Sequence, residues 1–170
     1  MKALLVPLLY AVTVAAPTFG QGQSALASAQ SACGSGNVNF AASEDWTQQP
    51  IPQSDSDNAL VFVVQESNAL TIKVGMDGAW VRANRGNSYT FFHAKPGEHH
   101  LCVNWQSRIG WLNKTYAMSN FNAEAGRVYC FRVRTITSQT VRYLDLDSIN
   151  ADQGKYLVAS SPLSVWHIKK

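Results

Sequence analysis

The run from Ser88 to Trp105, Ser-Tyr-Thr-Phe-Phe-His-Ala-Lys-Pro-Gly-Glu-His-His-Leu-Cys-Val-Asn-Trp, alternates in character on both sides of Pro96-Gly97. Successive side chains of an extended strand point to opposite faces, so a period of two marks a strand and conflicts with the helical period. Pro presets φ and Gly supplies a positive one, so the pair suits the central positions of a type II turn. In the second half, His99, Leu101, Val103 and Trp105 share one face, and His100, Cys102 and Asn104 share the other. The segment Ala123–Val133 repeats the pattern, with a Gly126 turn feeding a strand.

The same grammar extends over residues 59–146. Leu60, Phe62 and Val64 alternate with Val61, Val63 and Gln65, which predicts a strand buried on both sides. Leu70, Ile72 and Val74 alternate with Thr71 and Lys73, and Asp77-Gly78 then leads into Ala79–Ala83. Two residues that tolerate positive φ between two strand patterns are a strong hairpin signal. Further strands are expected over Tyr116–Phe121, Arg127–Thr135 and Thr140–Leu146. Short strands at regular spacing predict a mainly β chain folded as an antiparallel β-sandwich. Asn150-Ala-Asp-Gln153 resembles a capping box, so one short C-terminal helix follows, with Tyr156, Leu157 and Val158 available to pack on the sandwich. Val165–Ile168 is a last strand or an edge.

Residues 1–20 have the pattern of a signal peptide. Lys2 precedes an apolar run from Ala3 to Ala16, and Thr18-Phe19-Gly20 offers a cleavage site before Gln21. Pro7, Thr13 and Pro17 interrupt the run, which falls short of the roughly 20 apolar residues of a membrane span. The first cysteine, Cys33, lies well beyond it, so no lipid anchor is expected. Residues 21–58, rich in Gln, Ser, Ala and Asp, form a flexible N-terminal arm with room for a short strand near Val38–Phe40, and residues 59–170 form the sandwich domain. The chain is thus placed outside the cytoplasm, in a periplasm or cell envelope or secreted.

Three cysteines in an oxidising compartment imply one bridge and one free thiol. Cys33–Cys102, which would staple the arm to the sheet, is the favoured pair; Cys102–Cys130 competes with it, because spacing alone does not decide connectivity. No two cysteines have zinc-ligand spacing.

Several chemistries find no footing. The formal charge of +3 is spread over scattered basic residues, which argues against nucleic acid. His93, His99 and His100 cluster around the turn, but adjacent strand residues face opposite ways, so no metal site is expected and His93 and one of the pair should be exposed. The chain has no Gly-x-Ser-x-Gly elbow. Cys130 lies within an apolar strand pattern and suits a buried small hydrophobe. Asp145-Leu-Asp147 lacks the glycine and further carboxylate of a calcium loop. No catalytic residue and no cofactor are assigned. Among five tryptophans, Trp46 and Trp111 lie in polar, loop-like surroundings and are the candidates for ligand contact. Asn113-Lys-Thr115 matches a glycosylation sequon, relevant only to a eukaryotic secretory host.

Val74-Gly-Met-Asp-Gly-Ala-Trp-Val-Arg-Ala-Asn84, Pro96-Gly-Glu-His-His-Leu-Cys-Val103, Ala123-Glu-Ala-Gly-Arg-Val-Tyr129 and Asp152-Gln-Gly-Lys-Tyr-Leu157 together resemble a bacterial domain-of-unknown-function family of exported proteins and lipoproteins, akin in style to PEGA-type surface β-domains. The resemblance spans about residues 58–160. It implies a small β-sandwich of the cell envelope and supplies no catalytic residues. This chain departs from it in lacking a lipobox and in placing Cys130 where an aromatic is expected.

The combined expectation is a non-enzymatic module that contacts an envelope protein or polymer. Two alternatives stand beside it: a carbohydrate- or small-ligand-binding module using Trp46 or Trp111, and a hydrolase or metalloprotein whose site assembles only in space.

Overall fold

The computed structural model describes residues 27, 33–34, 38–47, 52–53, 55–66, 70–110, 112, 115–138 and 141–170. The expected signal peptide, Trp111 and the sequon residue Asn113 lie outside them. The strands are β1 (Phe40–Asp45), β2 (Ala59–Glu66), β3 (Thr71–Met76), β4 (Ala79–Arg85), β5 (Tyr89–Ala94), β6 (Gly97–Trp105), β7 (Tyr116–Ala123), β8 (Val128–Ser138), β9 (Val141–Ile149) and β10 (Leu163–Ile168), with helix α1 (Ala151–Ala159) before the last. They form a six-stranded sheet, β1-β10-β5-β2-β8-β9, and a four-stranded sheet, β4-β3-β6-β7. The chain is a β-sandwich, mostly antiparallel, with a short helix near its C-terminus, as its alternation predicts.

Both predicted turns form. Asp77 and Gly78 take φ of 50° and 85°, the signs that a type I′ turn requires at its central residues. They join β3 to β4 as a hairpin. Gly97 takes a positive φ of 136°, but Pro96-Gly97 does not close a hairpin. β5 belongs to the six-stranded sheet and β6 to the four-stranded one, so this turn is the corner at which the chain changes layer.

Two features depart from the expected layout. β2 runs parallel to β8, from Leu60 opposite Val128 to Glu66 opposite Arg134, and β10 meets β5 in parallel as well. Parallel pairs sit where both sheet faces are covered, and β2 is apolar on both. The arm also contributes more than a short strand: β1 begins where that strand was expected to end and pairs with β10 from Phe40 to Asp45. The Gln106 side chain brackets its start, accepting from the Phe40 N–H at 2.6 Å and donating to the Phe40 carbonyl at 2.8 Å.

The main core lies between the sheets. Val61, Val63, Phe131 and Val133 from one meet Ile72, Val74, Leu101, Val103 and Trp105 from the other. A second apolar cluster occupies the outer face of the six-stranded sheet, where Leu60, Phe62, Val64, Tyr89 and Cys130 meet Leu157 and Val158 of α1. The molecule therefore has three layers: four-stranded sheet, six-stranded sheet and helix. Asn150 caps α1, its side-chain oxygen accepting the Gln153 N–H at 2.9 Å, which is half of the predicted box.

On the outer face of the four-stranded sheet, Cys33 and Cys102 form a disulfide pair with Cα atoms 5.5 Å apart. A Cβ at Gly75, opposite Cys102, would strike the Cys33 carbonyl oxygen, so only glycine lets the arm lie this close. Cys130 is the free thiol among the described residues and is buried.

Candidate functional site

Between α1 and the outer face of the six-stranded sheet is a cavity of about 430 Å³, within the range of small-ligand sites. Its floor is Leu60 and Phe62 of β2, Tyr89 of β5 and Cys130 of β8; Gly154, Val158 and Ala159 of α1 roof it. Val128, Pro52, Ala151 and Lys155 complete the lining. The floor follows from the period of two in β2. Leu60 and Phe62 point away from the main core, while Val61 and Val63 point into it. The roof follows from the helical period, which sets Gly154, Leu157 and Val158 on the buried face of α1.

Gly154 sets the height of the roof. A Cβ there would strike the Cys130 side chain, so glycine lets the helix backbone approach β8 directly. Burial pushes the Cys130 thiol above its ordinary pKa, and the nearby Lys155 charge pulls it partly back. Its chemistry is that of a small hydrophobe rather than a thiolate nucleophile.

Beyond the cavity, the outer sheet face turns ionic. Arg134 donates to Asp145 at 2.6 Å and to Asp147 at 2.5 Å. Arg132 lies 3.5 Å from Glu66 and 3.6 Å from Asp147. The Asp145-Leu-Asp147 pair thus binds guanidinium groups across β8 and β9, and strand alternation turns Leu146 inward.

The histidines separate as alternation predicts. His93 and His100 are exposed and His99 is buried. His99 Nε2–H donates to the Lys95 carbonyl at 2.7 Å, and Nδ1–H donates to Asp77 Oδ2 at 2.6 Å. A carbonyl and a carboxylate both accept, an arrangement that favours the doubly protonated ring. Burial pulls its pKa down, but the bonds to Asp77 and Lys95 outweigh it and hold the pKa above the ordinary value. Among the described residues, no three His, Cys, Asp or Glu side chains come together as a metal site.

One further charged group is buried: Lys73, only 1% exposed, on the outer face of the four-stranded sheet. Its ammonium sits 4.3 Å from the centre of the Trp80 ring, a contact that favours the charged form, while burial lowers its pKa.

Of the tryptophans singled out by sequence, Trp46 follows β1 and is 63% exposed. It is not among the residues lining the cavity, and Trp111 lies outside the described residues. No sequence motif marks the cavity, although two signals point to it: β2 is apolar on both faces, and an amphipathic helix is available to cover the second.

No protein-family model matches the chain, and no curated protein matches it. No helix of the described residues is long and apolar enough to cross a membrane.

Proposed function

We propose that the protein is an exported, non-enzymatic binding module of the cell envelope that holds a small apolar ligand between the six-stranded sheet and α1. The observation that carries this reading is the 430 Å³ cavity with its apolar floor and roof. Apolar concavities of this size bury most of a small ligand and gain about 25 cal/mol per Å² of apolar surface withdrawn from water. The candidate reactive groups are otherwise engaged: His99 in a clamp with Asp77, Asp145 and Asp147 with arginines, and Cys130 as a protonated thiol. The Cys33–Cys102 pair accords with an oxidising compartment outside the cytoplasm. The family resemblance of the turn-and-strand motifs supports the envelope.

Titration with an apolar fluorescent dye such as 1-anilinonaphthalene-8-sulfonate tests the site. Folded wild-type protein should enhance the fluorescence saturably at one dye per chain, and Val158→Trp, which fills the cavity from the roof, should abolish the enhancement. Equal enhancement by a folded Val158→Trp variant would place the dye elsewhere and sink the proposal.

Exposed Trp46 supports a second reading, contact with a wall polymer. Retention on peptidoglycan that Trp46→Ala abolishes would favour it.

A further inference from the structure

We propose that the ligand of this cavity is a single-chain amphiphile with an anionic head, its aliphatic chain lying under α1 and its head held at Lys155. The inference rests on the cavity being a ligand site and adds the class of molecule.

The chain follows from the walls. Leu60, Phe62 and Val158 present hydrocarbon from floor and roof, and Lys155 is the one polar side chain that β2 and α1 contribute to the lining, too few to satisfy the hydroxyls of a sugar. A polar ligand would lose its water there without compensation. An aliphatic chain has no such groups to satisfy and gains with every methylene enclosed.

The head follows from charge. Lys155 is the one ionisable side chain besides Tyr89 and Cys130 among the described lining residues. It lies on the exposed side of α1 and takes part in none of the ion pairs among the described residues. The nearest acid on the helix, Asp152, is not a lining residue. Lys155 nevertheless lines the cavity, and its charge acts on the Cys130 thiol. A cation without a carboxylate, at the margin of an apolar space, complements an anion attached to a hydrocarbon tail. No lining acid offers the same to a cationic amphiphile.

The test uses the oxidised protein and calorimetry with dodecanoate, dodecanol, dodecyltrimethylammonium and lysophosphatidylglycerol. Dodecanoate should bind at one per chain and about tenfold more tightly than dodecanol, and the cationic amphiphile should bind least. Each added methylene should tighten binding about fourfold until the cavity is full. Lys155→Glu, a surface change, should weaken dodecanoate about tenfold and leave dodecanol unchanged. In wild-type protein, dodecanoate should also slow alkylation of Cys130. Tighter binding of lysophosphatidylglycerol than dodecanoate would support the same chemistry and identify a lipid as its source. Equal binding of acid and alcohol, unaltered by Lys155→Glu, would overturn the anionic head while leaving an apolar site. Binding of none of the four, with no protection of Cys130, would overturn the cavity as a ligand site as well.

Discussion

Asp77 fastens two turns at once: Oδ2 accepts from the His99 ring at 2.6 Å, and Oδ1 accepts from the His100 N–H at 2.9 Å. The carboxylate belongs to the β3–β4 hairpin, whereas His99 also donates to Lys95 beside the corner between sheets.

This clamp makes stability depend on pH from both sides. The folded pKa of His99 lies above its unfolded value, so its contribution is complete below about 6.5 and is lost as pH rises through the folded value. Burial tends to raise the Asp77 pKa, but hydrogen bonds from His100 and His99 and their charges bring it below the ordinary value. Its contribution is complete above about 4 and is lost as pH falls through the folded value. Thermal melts should therefore peak between about pH 4 and 6.5, with a decline above that range that His99→Gln removes. Asp77→Asn should flatten the profile too, since Asn tolerates the left-handed φ of the turn.

Removing the Cys33–Cys102 bridge should cost about 4 kcal/mol, because it closes a segment of 69 residues in the unfolded chain. Melting of Cys33→Ser/Cys102→Ser should occur roughly 10 °C lower than in wild type, and reductant should shift only the wild type.

Gly154→Ala should destabilise rather than stabilise α1. In an open helix the change would gain about 1 kcal/mol, but here the new methyl group strikes Cys130. A net loss of about 1–3 kcal/mol is expected by denaturant unfolding. Adding Cys130→Ala should restore much of it; a double mutant no better than Gly154→Ala would show that the two residues do not compete for this space.

Asn84→Ala should cost about 1–3 kcal/mol. The fully buried Asn84 amide of β4 donates to the Val63 carbonyl at 2.9 Å and the Ser88 carbonyl at 3.2 Å, tying one sheet to the other. Urea unfolding should register the loss as a lower midpoint with an unchanged slope.

Local signals carried most of the element assignment. Asp77-Gly78 and Asn150–Gln153 form the turn and cap that their side chains favour, because both are decided by atoms a few residues apart. Partner choice between strands is a long-range matter and was less legible. Nothing within Ser88–Trp105 says that β5 and β6 join different sheets, or that β2 lies parallel to β8. The candidate site was hidden for the same reason. Leu60, Phe62, Cys130 and Lys155 share no motif and meet only because α1 folds back over β2 and β8. Trp46 stands out as an isolated aromatic, which is a property of one residue; a cavity belongs to the packing of several.

The disulfide and the cavity occupy opposite outer faces of the sandwich, Cys102 on the four-stranded sheet and Leu60 on the six-stranded one. Strands in two stacked sheets stand about 10 Å apart, so both layers separate the covalent attachment of the arm from the helix-covered opening. The molecule consequently has a tethered side and, opposite it, a side that carries the cavity. Reduction at Cys33–Cys102 should release the start of the arm on the face away from Phe62, while Pro52, near the other end of the arm, stays among the cavity walls.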